Sequence, residues 1–220
     1  MSALPDLTLD TLKREAKTYA QALSSQAISA LYGVTDGKAV GTYVEQGFRN
    51  YLHSRYMFVP GNAAQGIDFP ELLVDLKVTS INQPQSSCPF RDAHQKVYGL
   101  GYGLLVMVYD KADDAVTNAA RLNMQHVIYI DSERTADYQT TFGILEILRR
   151  DGNVEDVAAF LDERNLPLDE IGRDALAKRI MTDPPKQGYL TISNALQWRL
   201  QYSRAITIAG KGRTEGLENV

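Results

Sequence analysis

The stretch Gly66-Ile-Asp-Phe-Pro-Glu-Leu-Leu-Val-Asp-Leu-Lys-Val-Thr-Ser80 decides how the rest of the chain is read. Leu72, Leu73, Val74, Leu76 and Val78 form an apolar run of the kind a buried strand shows. Burying an unpaired charge is expensive, yet Asp75 and Lys77 interrupt that run. Two residues apart on a strand, they leave the same face. Asp68 stands just upstream, and Phe69-Pro70-Glu71 predicts a turn because Pro70 has no N–H to give to a ladder. If residues 64–68 pair with 72–79 as a hairpin, Asp68 falls beside Asp75. Two carboxylates and one ammonium then share a single strand end.

Such a group has a chemical use. Close carboxylates repel unless a cation lies between them, and oxygen-only ligation favours Mg²⁺ or Mn²⁺. A metal there can activate water and neutralise charge growing on a phosphodiester, with Lys77 holding the water or meeting that charge. The plainer alternative is a charged hairpin whose Asp75–Lys77 pair sits in solvent. The apolar residues on either side argue against it.

Working outward, residues 8–30 show helical spacing (Leu9, Leu12, Ala16, Leu23), with Thr8 or Asp10 as caps. A second helix is predicted over residues 38–54, with Val40, Val44, Phe48 and Leu52 as its inner stripe. Glu45 shares a face with Gly41, Phe48 and Leu52. A carboxylate at the edge of a buried stripe needs a partner. A salt bridge is one answer, and a place beside Asp68 and Asp75 is the other.

Gly37-Lys-Ala-Val-Gly-Thr-Tyr-Val-Glu45 followed by Asp68-Phe-Pro-Glu-Leu-Leu-Val-Asp75-Leu-Lys77 resembles the MutH branch of the PD-(D/E)xK nuclease superfamily. That branch includes a mismatch-repair nicking enzyme and related type II restriction endonucleases. Its K-x-V-G-x-x-x-E helix and D-F-x-x-L-x-x-E-x-K hairpin match Glu45, Asp68, Asp75 and Lys77 position by position. Asp75 departs from the branch's usual Glu, a change other superfamily members share. The resemblance covers residues 33–90. It implies an α/β restriction-endonuclease-like core with a central mixed sheet flanked by helices. It also implies Glu45, Asp68, Asp75 and Lys77 as catalytic residues, with Glu45, Asp68 and Asp75 as ligands for Mg²⁺ or Mn²⁺. By analogy with restriction enzymes it implies a homodimer on double-stranded DNA.

Beyond the motif, residues 79–90 carry amide and hydroxyl side chains and two prolines, which predicts a loop. Asn82, Gln83, Gln85, Ser86 and Ser87 are of the types that read base edges; an ordinary polar connector has the same composition. Arg91 and Lys96 follow on a short predicted helix and are candidates for phosphate contact, as are Arg199 and Arg204 in the basic C-terminal part. Strands are expected at 102–109 and 122–130 with a loop at 110–114, and a helix at 137–150. That helix closes a nuclease core over residues 1–150. Residues 151–220 predict a small helical subdomain with a C-terminal strand and helix segment packed on the core. Within it, helices are expected over 154–184, strands at 188–192 and 205–209, and a disordered tail after Gly212.

A net charge of −4 counts against a duplex binder that works by a basic field alone, though a positive cleft can sit in an acidic surface. The single Cys88 excludes an intramolecular disulfide framework and a CxxC metal site. With no apolar run long enough for a bilayer and no signal-peptide pattern, a cytoplasmic protein without membrane contact is expected. His53, His94 and His126 lack zinc-hydrolase spacing, and no G-x-S-x-G supports acyl transfer. Three readings remain: a Mg²⁺-dependent sequence-specific endonuclease, a repair nickase, and a nuclease-like fold that binds DNA without cutting it.

Overall fold

The computed structural model describes residues 4–61, 66–88, 91–193, 198–212 and 214–220. Its centre is a four-stranded mixed sheet in the order β1-β3-β4-β7. Strand β1 (Val74–Ser80) runs parallel to β3 (Gly103–Asp114), with Asp75 opposite Leu104 and Lys77 opposite Val106. Strand β4 (Ala119–Ile130) returns antiparallel, with a register shift at Val108/Tyr109, and β7 (Leu217–Asn219) adds to its far side.

Side-chain alternation splits this sheet into two buried faces. Val74, Leu76, Leu105, Met107 and Leu122 meet helices α1 (Leu9–Ser24) and α2 (Gly37–His53). Those helices bury Leu12, Ala16, Ala20 and Leu23, and Val40, Val44, Phe48 and Leu52, at the three- and four-residue spacing of one helical face. Thr8 caps α1 through a reciprocal pair with Thr11, and Asp36 caps α2 by accepting from the Lys38 N–H at 3.0 Å.

On the opposite face, Leu104, Val106, Val108, Ile128 and Ile130 pack under a second layer. That layer is a three-stranded antiparallel sheet, β2 (Gln85–Cys88), β6 (Trp198–Gln201) and β5 (Thr191–Ile192), in the order β2-β6-β5. Helix α7 (Ser203–Ala209) completes it, burying Ala205 and Ala209. A third apolar cluster joins α3 (Gln95–Tyr98), α4 (Tyr138–Arg149), α5 (Val154–Glu163) and α6 (Glu170–Thr182) through Val97, Ile144, Val157, Leu161, Leu176 and Ile180.

Several expectations are corrected. Residues 66–68 form no strand, and 64–65 lie outside the described residues. The Pro70–Leu72 3-10 turn and a left-handed Leu73 (φ 51°) leave room for only a Phe69–Val74 bridge. The polar segment 110–114, expected as a loop, continues β3, because its ladder with β4 runs on past the core to Asp114–Ala119. Gln85–Cys88 is a strand rather than loop, since β6 supplies its partner. The first helix stops at Ser24, and strand 188–192 shrinks to Thr191–Ile192. Residues 205–209 are helical, and the tail expected to be disordered carries β7, which finds an open edge on β4.

Candidate active site

β1 is an edge strand, and its charged residues lie where the sheet edge meets α2 and the end of β2. Asp75 is 3% exposed. The Lys77 ammonium pairs with it at 2.7 Å. Asp68 reaches the same point from the preceding turn. One of its oxygens accepts from the Leu76 N–H at 3.0 Å, and its carboxyl lies close enough to that of Asp75 to raise it. The Phe69–Val74 bridge brings these two carboxylates together, so the juxtaposition needs no hairpin.

Helix α2 packs on β1 at Gly41, where a Cβ would make ordinary contact, 3.7 Å from the Val78 carbonyl oxygen. One turn on, Glu45 is half-buried within the electrostatic reach of Asp68 and Lys77. One further turn brings Arg49, which ion-pairs with the other oxygen of Asp68. Its Nε is buried without a hydrogen-bond partner. Arg49 was not singled out by the sequence reading. Its only signal there is its place four residues after Glu45, on the same helical face.

The ionisation of these groups follows from burial and charge. Burial first, then the neighbouring Asp68, pushes the Asp75 carboxyl above the usual carboxylate range, with Lys77 opposing the rise. Burial and the nearby Asp68 likewise raise Glu45. For Lys77, burial acts to lower the ammonium, but Asp75, Asp68 and Glu45 outweigh it and hold the group above its ordinary value. The site is therefore a negative cluster held by two cations, Lys77 on Asp75 and Arg49 on Asp68. Among the described residues, no three His, Cys, Asp or Glu side chains gather closely enough to hold a metal ion. The two closely joined carboxylates are Asp68 and Asp75, with Glu45 beside them.

The residues expected at DNA divide by exposure. Asn82, Gln83, Ser87, Arg91, Arg199 and Arg204 are exposed, and Gln85 and Ser86 are half-buried. The Ser86 hydroxyl is hydrogen-bonded to that of the buried Tyr202. Arg204 stacks on the Tyr138 ring, 3.5 Å from its centroid. Lys96 is a correction. At 2% exposure it lies inside the fold near Asp137, and burial lowers its ammonium while Asp137 partly restores it, so it cannot meet a phosphate.

An α/β fold with paired acidic residues and a lysine at a sheet edge defines a class in which phosphodiester hydrolysis is the natural chemistry. The family model for the type II restriction enzyme NspV matches residues 6–219 of this chain. The curated type II restriction enzyme NspV of Nostoc sp. (strain ATCC 29411 / PCC 7524) is 58% identical over 205 residues, covering 93% of each chain. No solved structure matches. The chain belongs to the NspV family of type II restriction enzymes, and is a sequence-specific DNA endonuclease. Among the described residues no helix is long and apolar enough to cross a membrane.

Proposed function

We propose that Asp68, Asp75 and Lys77 form the cutting centre of a Mg²⁺-dependent, double-strand-specific restriction endonuclease of the PD-(D/E)xK kind, with Glu45 and Arg49 beside them. The observation that carries this is the Asp68–Asp75 contact with Lys77 on Asp75. Two neighbouring carboxylates repel each other, and a cation between them relieves that repulsion. The donors are all oxygen, the set that Mg²⁺ or Mn²⁺ takes, so the residues present fit the metal.

Asp68 and Asp75 would hold the ion, and bound there it would supply Lewis-acid stabilisation of the phosphoryl charge. The protein's own groups do the rest. Lys77 orients the attacking water and offers its ammonium to the charge that grows on the phosphate oxygens. Arg49 fixes one Asp68 oxygen, and the Leu76 N–H fixes the other. Glu45, raised by burial, balances Lys77.

A two-fold dimer acting on a palindromic site, in the cytoplasm, completes the reading. Residues 1–150 then carry the chemistry, while 151–220 supply the helical subdomain and the strands that close both sheets. Incubating the protein with plasmid and Mg²⁺, Mn²⁺ or EDTA tests it. Linear fragments with one end sequence, formed with metal and absent with EDTA, are expected. Nicked circles would favour a nickase, and intact plasmid a binding module.

A further inference from the structure

The small sheet over the second face of the core has two sides of different chemistry. Its inner side is Ser86, Cys88, Ile192 and Leu200, which face the central sheet. Alternation turns Gln85, Ser87, Arg199, Gln201 and Thr191 outward. The register sets Ser87 opposite Arg199, and Gln85 opposite Gln201, with Thr191 on the other side of Gln201. Ser87, Arg199 and Gln201 are exposed.

We propose that this outward face reads base edges in the major groove of the DNA substrate, with Arg199, Gln85 and Gln201 as the specificity-determining side chains. The proposal rests on the endonuclease reading above and deepens it. A solvated strand face ordinarily mixes carboxylates and ammonium groups. This one has no carboxylate, one guanidinium, and otherwise amides and hydroxyls. These are the side chains whose donor and acceptor patterns match bases: Arg to guanine, Gln to adenine, Ser or Thr to either.

The dimensions also fit. A strand pair about 5 Å apart enters a groove about 12 Å wide. The Ser87–Arg199 and Gln85–Gln201 rows lie two residues apart along the strands. That is about 6.8 Å, or about two base-pair steps.

The face is tied to the cutting centre through β1 and β2. The Gln85 N–H donates to the Thr79 hydroxyl at 3.0 Å, and Thr79 lies on the strand that carries Asp75. At the other end of β2 the Cys88 thiol feels the charges of both Lys77 and Asp75. Ser87 and Arg199 are therefore the nearer row, and Gln85 and Gln201 the farther one.

Selection of duplexes from a randomised library in Ca²⁺, followed by sequencing of the bound fraction, tests this without needing cleavage. The wild type should enrich one motif. Gln201→Ala and Arg199→Ala should each lose preference at one base pair and its symmetry mate, with about 5- to 150-fold weaker binding to the enriched duplex. Binding to unrelated duplex should stay unchanged for Gln201→Ala. Arg199→Lys keeps the charge but not the planar fork, and should behave like Arg199→Ala.

The proposal is overturned if no motif is enriched, or if the variants enrich the wild-type motif. It is also overturned if Arg199→Lys restores full preference, since that marks a phosphate contact. A fault in the cutting centre would appear separately, as loss of plasmid cleavage with an intact enriched motif.

Discussion

Strands β1 and β3 lie parallel and in register, yet they put opposite chemistries into the same layer. Opposite Leu104 and Val106, both fully buried, β1 places Asp75 and Lys77. The apolar strand gains from every side chain it hides. The charged one holds groups that burial disfavours and that persist because Lys77, Asp68 and Arg49 compensate one another. One strand serves the fold, and its neighbour carries the proposed cutting centre.

Substitution should separate the two strands, and the largest effect is expected on β1. Asp75→Asn should cut plasmid slower by on the order of 10³ or more, since it removes a proposed metal ligand and the partner of Lys77. Its stability by urea unfolding should fall by less than the roughly 3–5 kcal/mol of a broken buried pair, because Asp68 and Glu45 still face the Lys77 ammonium. The raised folded value of Asp75 means the folded state holds the proton more tightly, so its contribution to stability worsens as pH rises from its ordinary range towards that value. Asn has no such cost. Leu104→Ala on β3 should do the reverse. A loss of about 2–5 kcal/mol is expected in the same unfolding assay, with cleavage retained below the lowered melting temperature.

Metal should reduce the difference between the strands. A divalent ion at 100 times its Kd should stabilise the protein by about 2.7 kcal/mol, or about 5–11 °C in a melting scan for a chain of this size. Asp75→Asn should abolish that shift and Leu104→Ala should keep it.

The smallest effect lies away from both strands. Tyr51 and Tyr56 donate to Glu15 at 2.7 and 2.9 Å, and with Arg14 they outweigh burial and hold its carboxyl below the usual range. Stability from a lowered carboxylate is present above about pH 4.3 and fades as pH falls through the folded value. Glu15→Gln should therefore cost about 1–2 kcal/mol at pH 7 and progressively less under acid conditions.

The same contrast marks what the sequence could disclose. Helix α2, strand β1 and strand β4 were legible because a periodic apolar pattern fixes their type, and the interruption by Asp75 and Lys77 exposed the site. Asp68 was placed beside Asp75 for a mistaken reason. A tight turn and a single bridge join them where a hairpin was expected. Ile206-Thr-Ile208 looks like a strand because it is β-branched, but Ala205 and Ala209, four apart, decide for a helix once the sheet offers them a surface. Strand β7 has too little apolar pattern to be seen without the β4 edge it completes. Arg49 and Lys96 are two basic residues that only packing tells apart. One reaches Asp68, and the other is enclosed beside Asp137.

Lys77→Met bears hardest on the role of β1 in cutting, because it removes the charge from the strand while keeping an unbranched side chain. A folded protein is expected, with Mg²⁺-dependent cleavage about 10²–10³ slower and Ca²⁺-supported DNA binding near wild type. A folded Lys77→Met protein that cuts plasmid at close to the wild-type rate would contradict that role.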